Sequence, residues 1–162
     1  MKLRGLTLIE LLIGLVFIAT AFVTLMSVSL GNGMLIEHAG NVSLAVNDAN
    51  RVMEELRELN RTGCASPTSN PPTGSASWDA WLAAPGGGGK SIAAIGGNAE
   101  YAWVLPDTAA DPQGVTVSIC WRERGRVIGE CAWDGAVLSP APGAGGIVHS
   151  PVMLSTELTC RK

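Results

Sequence analysis

The chain has 162 residues and a formal net charge of −3, with 47% hydrophobic and 15% charged residues. That length suits one modest domain plus an extra element, and the acidic balance offers no electrostatic footprint for nucleic acid. The charged share lies below the roughly 25% of an average soluble domain, and much of the apolar excess falls before Gly31.

The first predicted element is an apolar helix, Leu6 to Leu30, preceded by Lys2 and Arg4. It would be about 37 Å long at ~1.5 Å per residue, enough for a hydrocarbon core of about 30 Å. The leading positive charges favour a cytoplasmic N-terminus. Glu10 interrupts the run, and a carboxylate in hydrocarbon is costly and usually marks function. A plain membrane anchor leaves Glu10 unexplained unless it lies near the interface. A secretory signal peptide would use Ala19-Thr20-Ala21 as a small-residue cleavage site, with the cut after Ala21. Against it stand Glu10 within the apolar core and the apolar residues continuing beyond the cut, Phe22, Val23, Leu25, Met26, Val28 and Leu30.

A third reading accounts for Glu10. The stretch Gly5-Leu6-Thr7-Leu8-Ile9-Glu10 resembles the leader signature of type IV prepilins, a Gly followed by Phe-Thr-Leu-Ile-Glu, with Leu6 where the family usually has Phe. The resemblance implies that prepilin peptidase cuts between Gly5 and Leu6 on the cytoplasmic side and methylates the new N-terminus at Leu6. It also implies that Glu10, with Thr7 in the same motif, serves assembly: the glutamate of an incoming subunit meets the N-terminus of a subunit already in the filament. A buried amine and a buried carboxylate are each costly alone and much less so when paired.

The second predicted helix segment is Met34 to Asn60. Leu35, Ala39, Val42, Val46, Ala49, Met53 and Leu56 form a single stripe, while Glu37, Asn41, Asp48, Arg51, Glu55 and Glu58 fall away from it. Such a stripe suits packing on a sheet, and Gly63 is a plausible stop. Gly31-Asn32-Gly33 is a place where the helix is expected to loosen. The wording of the second half, NVSLAVNDANRVMEELRELN, is similar to minor pilins of the PilV type.

Beyond it, Cys64 to Ser77 is turn chemistry. Trp78 to Leu82 reads as a short helical turn capped by Ser77. Ala84 to Ser91, APGGGGKS, matches a relaxed phosphate-loop pattern, but no buried strand precedes it and Ala84 stands where the strict pattern wants Gly. It reads as a flexible glycine loop, and no nucleotide is expected. Four strands follow: Glu100 to Leu105, Val115 to Glu123, Arg126 to Trp133, and Val152 to Thr159. In the second, Val115, Val117, Ile119 and Trp121 share one face. Arg124-Gly125 turns it into the third. Pro140 to Pro151 reads as a loop.

None of the four cysteines, Cys64, Cys120, Cys131 and Cys160, forms a C-x-x-C pair. An even count beyond a targeting segment suggests two disulfides outside the cytoplasm. Cys120 and Cys131 would lie nearly opposite across the hairpin, leaving Cys64 for Cys160, although four cysteines allow two other pairings. His38 and His149 are expected to be solvated, and no catalytic constellation, metal ligand set or cofactor site emerges.

The expected fold is α+β: a long N-terminal helix packed on a small antiparallel β-meander, as in pilins. The segments are a leader at 1–5, a membrane and filament-core helix at 6–30, an amphipathic helix at 31–63 and a β-sheet head at 64–162. The expected role is a minor pilin rather than an enzyme. It would wait in the bacterial inner membrane with its head in the periplasm before joining a filament. Its partners would be other pilin subunits, prepilin peptidase and an inner-membrane assembly platform. The alternatives are a pseudopilin of a type II secretion system, a secreted disulfide-bonded binding domain, and an anchored nucleotide-binding enzyme.

Overall fold

The computed structural model describes residues 7–61, 67–96, 99–107, 112–141 and 150–159. Gly5, Leu6, Cys64, His149 and Cys160 lie outside them. Helix α1 spans Leu8–Arg61. It is helical through Gly31-Asn32-Gly33, where a loosening was expected. The chain separates into two compact units, Met1–Ala39 and Gly40–Lys162.

In the first unit, every large apolar side chain from Leu8 to Ile36 is exposed. A helix apolar on all faces is a membrane span or the core of a larger assembly, and this one is long and apolar enough to cross a membrane. Three of its hydroxyls bond within the helix. Thr20 Oγ1 donates to the Phe17 carbonyl at 2.9 Å, Thr24 Oγ1 to Ala21 at 2.8 Å, and Ser27 Oγ to Val23 at 3.4 Å.

In the second unit, α1 packs against an antiparallel sheet of four strands, β1 (Glu100–Asp107), β2 (Gln113–Glu123), β3 (Arg126–Ile128) and β6 (Val152–Leu158). The α+β arrangement expected from the sequence is present. The buried face of α1 carries Ala45, Asp48, Ala49, Val52, Met53, Leu56 and Asn60. It is shifted from the expected stripe: Leu35 is exposed, Val46 is only half-buried, and Asp48 is fully buried rather than solvated. Ala45, Asp48 and Val52 are spaced three and four apart, so a face that buries two of them takes the third.

Central β2 presents Val115, Val117, Ile119 and Trp121 to the core shared with α1, as its alternation predicts. β1 pairs along one edge, from Glu100↔Trp121 to Asp107↔Gly114. The other edge is shared: β6 pairs from Gln113↔Leu158 to Ile119↔Val152, and β3 from Trp121↔Ile128 to Glu123↔Arg126. The first three strands thus form a meander, and the last returns to β2. Arg124 (φ 49°) and Gly125 (φ 79°) make the β2–β3 turn, in the left-handed conformations that a tight hairpin requires.

Arg126 to Trp133 is not one strand. It breaks after Ile128, and Cys131–Trp133 becomes β4, paired with β5 (Leu138–Pro140), a strand the sequence did not suggest and whose last residue was expected to open a loop. Gly129 sits at the break, in a conformation that favours glycine: its φ is +94°, and a Cβ there would meet Cys120 Cβ at 2.9 Å. The detour brings Cys131 back to Cys120, and the two form a disulfide with a Cα–Cα distance of 6.1 Å. On the same outer face, the Arg122 guanidinium stacks on the Trp133 ring, 4.6 Å from its centroid.

Candidate functional site

The sequence points to two places: the first turn of α1 and the glycine-rich loop. At the first turn, Thr7 precedes the helix, and its carbonyl accepts from the amides of Glu10 (3.1 Å) and Leu11 (3.2 Å). The Glu10 side chain reaches back. Its Oε2 accepts from the Thr7 amide at 3.4 Å and from Thr7 Oγ1 at 3.3 Å. This is a capping-box arrangement, in which a Glu three residues into the helix satisfies the amide that precedes it. The positive end of the helix dipole also favours a carboxylate there. Glu10 is exposed, as are all its apolar neighbours. The turn thus presents one carboxylate, aimed toward the start of the chain, at the end of an apolar rod. The capping role is legible in the spacing of Thr7 and Glu10.

The second place, Pro85 to Ser91, is ordered. Pro85–Gly87 is a 3-10 turn and Ser91–Gly96 is a short helix, α3, where no helix was expected. The loop is pinned by α1. Arg51 Nη1 donates to the carbonyls of Gly89 (3.0 Å) and Gly87 (3.4 Å), and Gly89 donates its amide to the Leu82 carbonyl at 3.0 Å. The preceding turn, α2 (Trp78–Ala83), is capped by Ser77 Oγ accepting from Ala80 at 3.0 Å, as expected.

The lysine, the serine and the amides that open α3 are each met by a carboxylate of the chain itself, while the amides of Gly87, Gly88 and Gly89 donate to the carbonyls of Ala84, Pro85 and Leu82. Lys90 Nζ pairs with Asp79 at 2.7 Å and donates to the Glu100 carbonyl at 2.9 Å. Ser91 donates its amide to Asp48 Oδ2 at 2.8 Å and its hydroxyl to Asp48 Oδ1 at 2.7 Å. The amides of Ile92 and Ala93 donate to Glu100 Oε2 at 3.0 and 3.3 Å. Asp79 Oδ1 also accepts from the Ala102 amide at 3.0 Å, covering part of the free edge of β1. An entering phosphate would have to displace these carboxylates from the groups they already hold. The motif works here as an internal clamp between α1, α2, α3 and β1.

Sequence reasoning missed Asp48 and Glu100 as partners. Glu100 is buried at 4% exposure, and burial followed by the neighbouring Asp48 pushes its carboxyl up to about 8. The available signal was a Glu opening a strand a few residues after a Gly-Lys-Ser turn. His38 is half-buried on α1 rather than solvated. Among the described residues, no group of three or more His, Cys, Asp or Glu side chains is placed to hold a metal ion. Comparison with family models, with curated proteins and with solved structures returns no significant match.

Proposed function

We propose that the protein is a structural subunit, of the minor pilin kind, in a type IV pilus-like filament. The observation that carries this reading is the first turn of α1. One carboxylate, held by Thr7 and aimed toward the N-terminus, heads a helix whose large apolar side chains are exposed from Leu8 to Ile36. Cleavage after Gly5 would create an amine on Leu6, one residue before Thr7. In a water-poor assembly, a fixed carboxylate is a partner for such an amine, on a neighbouring subunit, at much lower cost than either group alone. The exposed apolar rod would lie in the inner membrane before assembly and against other helices after it. The disulfide between Cys120 and Cys131 fits a head outside the cytoplasm.

A pseudopilin of a secretion machine would use the same helix. The genes beside this one, for a retraction motor or for a secretion channel, separate the two. The deciding experiment for the class is mass spectrometry of the mature protein from bacterial membranes. A chain beginning at Leu6 with one added methyl group supports the proposal. A chain beginning at Phe22 means ordinary secretion and ends it, because Glu10 is then discarded.

A further inference from the structure

Asp48 and Glu100 sit on three consecutive amides of one turn. Ser91 donates to Asp48, and Ile92 and Ala93 donate to Glu100. Asp48 is fully buried and Glu100 is 4% exposed, and because adjacent amides of one turn hold them, the two carboxyl groups are neighbours out of water. Both Asp48 oxygens are engaged: Oδ2 by the Ser91 amide, Oδ1 by the Ser91 hydroxyl and by Arg51 at 3.2 Å. Glu100 Oε2 is engaged as well. Glu100 Oε1 is buried and has no hydrogen-bond partner among the described residues.

Two ionised carboxylates placed like this repel one another, and a proton on one of them removes the repulsion. It also turns the orphaned Oε1 from an acceptor into a donor, with the Asp48 carboxylate beside it. The surrounding charges do not supply another remedy. From α1, Arg51 serves Asp48 with a side chain 41% exposed. From the loop, Lys90 is neutralised by Asp79 of α2 and touches only the backbone carbonyl of Glu100.

We propose that Glu100 keeps a proton on the oxygen beside Asp48, and that this proton latches the Ser91–Ala94 turn onto α1. With the proton in place, α1, α3 and β1 are held together through the two carboxyl groups. When it leaves, two buried anions face each other, and the turn releases from α1 while the sheet remains folded. Release would uncover the half-buried Leu44, which lines the groove between α1 and the glycine loop. Burial and the adjacent Asp48 raise the Glu100 carboxyl to about 8, so the latch is closed at neutral pH and opens in mildly alkaline medium.

The test is amide hydrogen exchange on the full chain in detergent micelles, corrected for the intrinsic pH dependence of exchange. Protection at Ser91–Ala94 should fall at least about tenfold between pH 6.5 and 9.5, and stay unchanged at Val117–Ile119. One proton alters such an equilibrium by at most about tenfold per pH unit. In Glu100→Gln the amide group donates to Asp48 at every pH, so protection should not change. Equal protection of the unmodified chain at both pH values overturns the latch, as does an equal fall in Glu100→Gln. Should Glu100→Gln not fold, Asp48→Asn serves: without the second anion the step should move to lower pH, and a step left in place also overturns the proposal.

Discussion

Raising the pH from 5 to 8 should destabilise the head through Glu100. Glu100 has its carboxyl raised from 4.5 to about 8 in the folded chain. Below 4.5 both folded and unfolded chains hold the proton, and the group contributes nothing to the pH dependence. Between 4.5 and about 8 the folded chain keeps a proton that the unfolded chain has lost. Stability therefore falls as pH rises, by about 1.4 kcal/mol per pH unit, and levels off above about 8. Across the window the loss is on the order of 4 kcal/mol, a large share of the 5–15 kcal/mol typical of a domain. Glu58 and Asp134 have carboxyls lowered by hydrogen bonds from Arg61 and from the Val137 and Ala136 amides, respectively. Their stabilising contribution is lost only as pH falls through the acid range, so among the described carboxyl groups with a shift Glu100 is the one that acts between pH 5.5 and 7.5. Urea unfolding followed by tryptophan fluorescence reads the head alone, because all five tryptophans lie between Trp78 and Trp133. The unmodified chain should show the slope and Glu100→Gln should be flat. A flat profile for the unmodified chain, or the same slope in both, would refute the reasoning.

The same fluorescence assay serves three further variants at pH 6. Leu56→Ala removes a fully buried side chain between α1 and the sheet and should cost about 2–5 kcal/mol. Gly129→Ala places a Cβ 2.9 Å from Cys120 Cβ at a φ of +94° and should cost about 2 kcal/mol or more; an unchanged midpoint would mean that the β3–β4 break does not depend on glycine. Replacing Cys120 and Cys131 together by Ala opens a loop with a sequence separation of 11, which the loop-entropy account values at about 3 kcal/mol. A doubly substituted chain as stable as the unmodified one would show that the bridge contributes little.

Much of the fold is legible in the chain because it rests on local periodicity. Val115, Val117, Ile119 and Trp121 alternate, and β2 buries that face. Arg124-Gly125 demands a tight turn, and the turn is there. The capping role of Glu10 follows from its spacing to Thr7. What the sequence could not reveal depended on distant neighbours. Asp48 looks like a solvated helix residue until Ser91, 43 positions away, covers it. The glycine-lysine-serine run resembles a ligand loop until its lysine, hydroxyl and amides are seen to meet Asp79, Asp48 and Glu100.

By itself, then, the sequence determined a long helix apolar on all sides at its start, an amphipathic continuation, a β-rich head and a carboxylate in the first turn, because each follows from side-chain chemistry repeated at helical or strand spacing. The tertiary structure alone decided that β6 returns to β2, that the third strand breaks at Gly129 to bring Cys131 to Cys120, and that a loop with the look of an anion site is closed by the chain's own carboxylates. Pairing partners and burial are properties of residues far apart in the chain, and a buried charge acquires its meaning only from the groups that meet it.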